Sequence, residues 1–312
     1  MNKVVNWLLE DTQPASKYHT LVDLLGYTRG DSQVKSAKSE IPKRGWAAEI
    51  LATQRPEGFW EGSDSLYVPK YTATNWIAIV LSELGLTKKD PRIMRTADLF
   101  FEKWLDEKTT ENIFRDEVCV VGNAARMMIN FGYEEDPRVK KLYERLIEIQ
   151  KSDGGWHCFD SEEGTLDCWE ALAAFAALTP SKRTRKIKRS IELGAEFYLS
   201  RELLKEGRKY LPWFRMHYPN HYYYDFLIGL DVLTKLGYAK DKRLGLATNV
   251  LKKKRRSDGT WELDSVHPDL GRGASYYLRH KAKYFAIEHE RQPSKWITLK
   301  ALSVLKRIKD ES

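Results

Sequence analysis

Residues 150–160, QKSDGGWHCFD, combine side chains that can do chemistry with a turn sequence. The imidazole of His157 and the thiol of Cys158 are groups that bind metals or take part in catalysis. Asp153 and Gly154, in contrast, form a pair typical of a tight turn. Because the stretch lies between two segments with helical periodicity, it is either a metal or catalytic site or a structural loop between helices.

Two other segments repeat this loop pattern, which favours the structural interpretation. QRPEGFWEG contains Trp60 and RRSDGTWEL contains Trp261, each after an acidic residue and a glycine, as Trp156 is in the first stretch. The three tryptophans are 96 and 105 residues apart, so half of either interval is about 50 residues. Such an internal period is typical of a repeat architecture.

A second element recurs between these loops. In GLTKKDPRI, GYEEDPRVKK and GYAKDKRLG a glycine precedes Asp90, Asp136 or Asp241, and an arginine follows two residues later. The pattern predicts that the glycine ends one helix and the aspartate caps the next. One repeat is therefore an inner helix, a turn, an outer helix and a tryptophan loop. Strand-like alternation is absent, so we predict an all-α protein forming a single domain over residues 1–312.

The repeats resemble those of the α/α-toroid superfamily, which contains the squalene and hopene cyclases and the protein prenyltransferase β subunits. The resemblance covers residues ~35 to 310 and implies a closed ring of about six helical hairpins. In that superfamily the loop glutamine caps a helix end and the tryptophan packs on the next hairpin. Gln54 and Gln150 match this pattern, whereas Arg255 stands at the third position.

A ring of this kind implies a central cavity lined by the first residues of the inner helices. Aromatic side chains at those positions suit an isoprenoid or other lipid-like ligand, because ring faces are apolar and attract cations. The alternative is that the same rings only pack against neighbouring turns. The predicted ligand-binding residues are Tyr71, Trp76, Asn123, Trp169, Tyr222, Tyr223 and Trp296.

The catalytic motifs of the cyclases are not found. The resemblance implies an acidic Asp-x-Asp-Asp motif, which the sequence lacks, as it lacks an Asp-Asp-x-x-Asp motif for magnesium and a diphosphate. The nearest substitute is Asp225 in HYYYDFLIGL, where burial among tyrosines would favour the protonated form. A helix N-cap is the competing role for this residue.

The prenyltransferase β subunits imply a zinc site formed by an aspartate, a cysteine and a histidine at the starts of two inner helices. Asp167, Cys168 and His221 supply those ligand types here and would leave one coordination position open. The acid and the thiol are adjacent, whereas the family places one residue between them. We interpret His157, Cys158 and His217 as structural.

Charge and composition limit the classes of binding partner and the cellular location that we expect. The net charge of +8 is concentrated in residues 181–189 and 252–256, which we interpret as solvated helix faces. Neither run has a nucleic-acid-binding motif, while contact with a membrane surface is left open. No apolar run is long enough to span a membrane, no signal peptide is recognisable and three cysteines give no disulfide framework, so we expect a cytoplasmic protein.

Together these features predict a terpenoid cyclase-like or prenyltransferase-like protein that acts on or binds an isoprenoid or lipid-like ligand. The alternative is a non-catalytic toroid that serves as a scaffold for a ligand or a protein partner.

Overall fold

The computed structural model describes residues 3–106, 117–205, 210–221, 223–266 and 286–310. Within these ranges it contains thirteen α-helices and no β-strand, only two isolated β-bridges. The predicted all-α class is confirmed. The helices are α1 (Lys3–Leu8), α2 (Pro14–His19), α3 (Ser32–Glu40), α4 (Trp46–Leu51), α5 (Thr74–Glu83), α6 (Pro91–Lys103), α7 (Val118–Phe131), α8 (Pro137–Glu148), α9 (Glu170–Ala177), α10 (Arg185–Ser200), α11 (Phe226–Lys235), α12 (Gly245–Lys253) and α13 (Lys295–Asp310).

The chain divides into two compact units. Unit 1 comprises Met1–Thr96, Met216–His221 and Lys252–Lys306, and unit 2 comprises Ala97–Arg215, Tyr222–Leu251 and Arg307–Ser312. The closure of the hairpins into one ring, and the single domain over residues 1–312, stay predictions. None of the described helices combines the length and the apolar character needed to cross a membrane.

In unit 1, α5 is buried along almost its whole length, from Thr74 to Ser82. An irregular segment, residues 60–73, leads into this helix and carries several aromatic residues. Helix α4 packs against α5, and α2 packs against α3 and against a short π-helix, Thr20–Leu24. The first turn of α5 and the segment before it therefore position the side chains described below.

In unit 2, α9 contacts α7, α8, α10 and α11 and lies at the centre of the packing. Its approach to α7 is close at one glycine: a Cβ atom added to Gly122 would lie 2.6 Å from the backbone carbon of Glu170. Because no larger residue fits there, the first turn of α9 is held directly against α7.

The aspartate turns are helix caps, as predicted. Asp136 accepts a hydrogen bond from the backbone N–H of Arg138 at 2.9 Å, and the guanidinium group of Arg138 contacts the same carboxylate. Asp90 with Arg92 and Asp241 with Arg243 repeat this arrangement. The same Asp-x-Arg geometry therefore begins a helical segment at three places in the chain.

The tryptophan loops are also structural, as predicted. The indole N–H of Trp156 donates to the carbonyl of Leu146 at 2.7 Å, and the amide of Gln150 donates to the carbonyl of Gly154 at 2.7 Å. Gln54 bonds the carbonyl of Gly58 in the first copy. In the third copy Arg255 takes over this role, because its Nε donates to the carbonyl of Gly259 at 3.3 Å.

Candidate functional site

An aromatic cluster forms in unit 1, defined here as Tyr67, Tyr71, Trp76 and His221. The Tyr71 and His221 rings stack with centroids 5.6 Å apart, and the Trp76 ring lies 5.2 Å from Tyr71 and 5.1 Å from His221. The indole N–H of Trp76 donates to the carbonyl of Tyr67 at 2.7 Å. The structure thus brings together Tyr71 and Trp76, which the sequence predicts, with His221, which the sequence assigns to a metal site.

The backbone of Tyr71 is unusual. Its φ angle is +72°, in the left-handed region that bulky residues rarely adopt, and its side chain is buried. Such a conformation costs on the order of 1–3 kcal/mol and tends to occur at functional sites.

Trp296 contacts a different set of rings in unit 1. Its ring centroid lies 5.3 Å from Tyr218, 5.4 Å from His19 and 6.3 Å from Trp46. The ammonium group of Lys300 is 5.9 Å from the Trp296 ring. A ring-rich environment is therefore present at this predicted position as well.

A thiol cluster forms in unit 2 from Cys119, Cys158 and Cys168. The sulfur atoms of Cys158 and Cys168 are 3.7 Å apart, and the backbone N–H of Cys119 lies 3.4 Å from the Cys158 sulfur. Hydrogen bonds from Cys119 and then from Cys168 lower the pKa of the Cys158 thiol well below its usual range. The interpretation of Cys158 as purely structural misses this cluster, since its partners are distant in sequence.

Two residues predicted at inner helix starts, Asn123 and Trp169, share a contact in unit 2. The Nε of Arg126 donates to the side-chain carbonyl of Asn123 at 2.7 Å, and the guanidinium carbon of Arg126 lies 4.9 Å from the Trp169 ring. Asn123 and Trp169 are therefore joined through one buried arginine, which sequence analysis does not single out.

Glu170 is the functional candidate that sequence analysis misses. It is fully buried, and neither carboxyl oxygen has a hydrogen-bond partner in the described part of the chain. Burial, and then the charge of Cys158, raise the pKa of this carboxyl well above its usual value. The neutral acid is therefore favoured more than it is in a surface glutamate.

The repeat register is a signal that could have identified Glu170. Glu170 follows Trp156 by 14 residues, as Thr74 follows Trp60, and both start an inner helix. The Thr74 hydroxyl accepts from the backbone N–H of Trp60 at 3.0 Å, and Thr298 does the same for Trp261 at 2.9 Å. A carboxylic acid thus occupies a position where the first repeat uses a threonine to fasten its loop.

Each of the predicted zinc ligands has other contacts within its own unit. Asp167 accepts a hydrogen bond from the indole N–H of Trp213 at 2.7 Å, Cys168 lies beside Cys158, and the Nε2 of His221 is 3.2 Å from the carbonyl oxygen of Trp76. Across the described ranges, no group of three or more histidine, cysteine or acidic side chains is placed to hold a metal ion. The assignment of Asp167, Cys168 and His221 as zinc ligands stays a prediction.

Asp225 is the N-cap of α11. Its carboxylate accepts hydrogen bonds from the backbone N–H groups of Leu227 at 2.8 Å and Ile228 at 3.0 Å. Asp225 therefore acts as a helix N-cap, and its role as general acid stays a prediction. Tyr223 is partly exposed, and Tyr222 lies outside the described residues.

The structure also contains a cleft of about 880 Å³ in unit 1. It is lined by Lys3, Val4 and Trp7 of α1, by Asp258 and Thr260 of the third tryptophan loop, and by His289, Glu290, Gln292 and Pro293. None of the predicted site residues lines it. Its volume is within the range of small-molecule sites, but its rim carries charges of both signs.

Comparisons with known proteins find similarity among solved structures. No protein-family model and no curated protein matches the chain. The solved structure of the type II terpene cyclase MstE from Scytonema, in its apo form, matches with a TM-score of 0.44 and 16% sequence identity, over 96% of this chain and 88% of that chain. At this level of similarity, the function of the chain has to be argued from its own residues.

Proposed function

We propose that this protein binds an isoprenoid-like or other lipid-like small molecule against the aromatic cluster of unit 1. The observation that carries the proposal is the mutual contact of the Tyr71, Trp76 and His221 rings, with Tyr71 held in a left-handed backbone conformation. Three ring faces in contact form an apolar wall that also attracts positive charge.

The segment before α5 is the route by which a ligand would reach these rings. The side chains of Tyr71 and Trp76 are buried, whereas Val68 in the same segment is half exposed. An exposed valine next to a buried ring cluster is apolar surface that a hydrophobic ligand would cover. Ligand binding therefore involves a displacement of residues 61–70, at a cost that lowers the apparent affinity.

Binding is proposed here in preference to cyclisation. The acidic motifs of the cyclases are missing from the sequence, and the carboxylate of Asp225 already accepts two helix N–H groups. The competing function is a scaffold that binds a protein partner and takes up no hydrophobic ligand. The two differ in whether purified protein binds an isoprenoid.

The test is a titration of the full chain with farnesol, squalene and farnesyl diphosphate, followed by tryptophan fluorescence and calorimetry. We expect at least one probe to bind, and Tyr71→Leu to weaken that binding about tenfold, which corresponds to about 1.4 kcal/mol. Phe175→Leu is the matched control, since Phe175 is an equally buried ring that packs on Tyr143 and Trp156 in unit 2. The affinity of Phe175→Leu for the same probe should stay within about twofold of the wild-type affinity.

Two outcomes would contradict the proposal. One is the absence of binding by all three probes, which favours the scaffold. The other is an equal loss of affinity in Tyr71→Leu and Phe175→Leu, which would show that destabilisation and not the lost ring face is responsible.

A separate experiment tests Asp225 as a general acid. Wild type and Asp225→Asn are incubated with the same probes and any product is measured. Equal amounts of product from both proteins would exclude Asp225 as the acid.

A further inference from the structure

The thiol cluster of unit 2 has the geometry for disulfide formation. The sulfur atoms of Cys158 and Cys168 are 3.7 Å apart. A disulfide bond is about 2.05 Å long, so side-chain rotation has to bring the two sulfurs roughly 1.7 Å closer. Cys158 is half-buried and Cys168 is buried, so the Cys158 sulfur is the more accessible of the two to a small reagent.

The loop that carries both cysteines is held closed. The carbonyl of Trp156 accepts from the backbone N–H of Thr165 at 2.8 Å, and the carboxylate of Asp153 accepts from Gly155 and Gly164 at 3.0 Å each. Because these bonds lie on both sides of Cys158, the proximity of the two sulfurs is set by the fold.

The cluster also distinguishes the roles of its thiols. Cys158 receives hydrogen bonds from the other two thiols and lies 3.4 Å from the backbone N–H of Cys119, so it is the sulfur that carries the negative charge. Donation to Cys158, together with burial, raises the pKa of Cys119 and of Cys168, which stay protonated. A thiolate beside a neutral thiol is the arrangement of a nucleophile with its resolving partner.

Glu170 provides a second, independent indication that the cluster does more than pack. Its fully buried carboxyl has no hydrogen-bond partner among the described residues and occupies the repeat position where Thr74 bonds its loop. Buried polar groups in proteins normally form hydrogen bonds, and a small polar reagent bound beside Glu170 would supply the missing one.

We infer that Cys158 and Cys168 form an oxidation site, in which a hydroperoxide oxidises Cys158 and Cys168 then closes a disulfide. The Cys158 thiolate attacks one peroxide oxygen, the O–O bond breaks, and the leaving hydroxide or alkoxide takes a proton, which leaves a sulfenic acid on Cys158. Cys168 loses its proton and its sulfur attacks the Cys158 sulfur, so that the S–O bond breaks and the departing hydroxide becomes water. The two thiols lose two electrons and the peroxide gains them. This inference is independent of the proposed ligand binding.

The first experiment uses the wild-type protein only. We expect iodoacetamide to label Cys158 at pH 6 at a rate within about threefold of the rate at pH 8, whereas an ordinary thiol slows roughly 80-fold over that range. Treatment with hydrogen peroxide should give a product that lacks two hydrogens, with a Cys158–Cys168 disulfide in the peptide map and Cys119 still free. Three free thiols after treatment, or a disulfide that includes Cys119, would overturn the assignment.

Variants then separate the roles of the cysteines, with circular dichroism to verify the fold of each. In Cys168→Ser, peroxide should leave a sulfenic acid on Cys158 that dimedone traps. Cys119→Ser should still form the disulfide. Cys158→Ser should lose reactivity with peroxide, and oxidation of this variant at the wild-type rate would exclude Cys158 as the nucleophile.

Discussion

At the scale of single residues, Asp225 illustrates how one carboxylate can fit two roles. Its oxygens accept the N–H groups of Leu227 and Ile228 at the start of α11. We expect Asp225→Ala to lower the free energy of unfolding by about 1 kcal/mol, and Asp225→Asn to change it by less than about 0.5 kcal/mol, because asparagine caps as well as aspartate. Urea unfolding of the three proteins measures this. Equal losses in both variants would show that the charge, and not the cap, stabilises the helix.

Glu170 and Cys158 form a second residue-scale case, in which pH is the variable. In the folded state the lowered pKa of Cys158 favours its thiolate and the raised pKa of Glu170 favours its neutral acid, whereas their ordinary pKa values of 9.0 and 4.5 favour the opposite forms in the unfolded chain. Between those two pH values the pair binds one proton in either state, so the pair makes no net contribution to the pH dependence of stability.

Replacing one member of the pair should reveal the effect of the other on the pH dependence of stability. In Glu170→Gln the unfolded state binds one proton more, through Cys158, so stability should rise with pH between about 5 and 8, by at most ~1.4 kcal/mol per unit. In Cys158→Ser the folded state binds one proton more, because burial still raises the pKa of Glu170, so stability should fall over the same range. Denaturant unfolding at three pH values measures the slopes. Slopes of the same sign in both variants would contradict the assigned charges.

At the scale of elements, the tryptophan loops depend on close backbone contact. Gly154 has a φ angle of +88°, and a Cβ atom there would lie 2.5 Å from the carbonyl oxygen of Leu193 in α10. Gly237, at the end of α11, has a φ angle of +98° but nothing within 4 Å of the same atom. The two glycines therefore separate the cost of the left-handed conformation from the cost of crowding.

Alanine at these two positions should have unequal effects. Gly237→Ala should cost about 1 kcal/mol, which is the penalty for a left-handed backbone. Gly154→Ala should cost at least about 1–3 kcal/mol more, because the loop and α10 have to move apart. Thermal or urea unfolding measures both. If both variants lose the same stability, the contact between the loop and Leu193 does not constrain the fold.

At the scale of the whole molecule, part of the positive charge of the two basic runs is paired with acidic side chains at the surface. In the first basic run Lys182 pairs with Glu135 at 2.7 Å and Arg189 with Glu192 at 3.3 Å. In the second, Lys254 pairs with Asp264 at 2.9 Å, and Arg256 contacts Glu262. Exposed pairs of this kind contribute little to stability but reduce the local field, which supports the interpretation of both runs as solvated faces.

Sequence alone determined what depends on neighbours within a few positions. The aspartate caps of Asp136 and Asp241 and the left-handed glycines Gly132 and Gly237 at helix ends are set by contacts inside one turn, and the sequence predicts them. The helical period fixed the all-α class for the same reason.

Only the tertiary structure decided which side chains meet. The backbone of Cys119 reaches Cys158 across 39 residues, Trp213 reaches Asp167 across 46, and His221 reaches Trp76 across 145. These contacts produce the thiol cluster of unit 2 and the aromatic cluster of unit 1. Hydrophobic packing between helices sets such distances, and no local pattern encodes them because each depends on how whole helices approach one another.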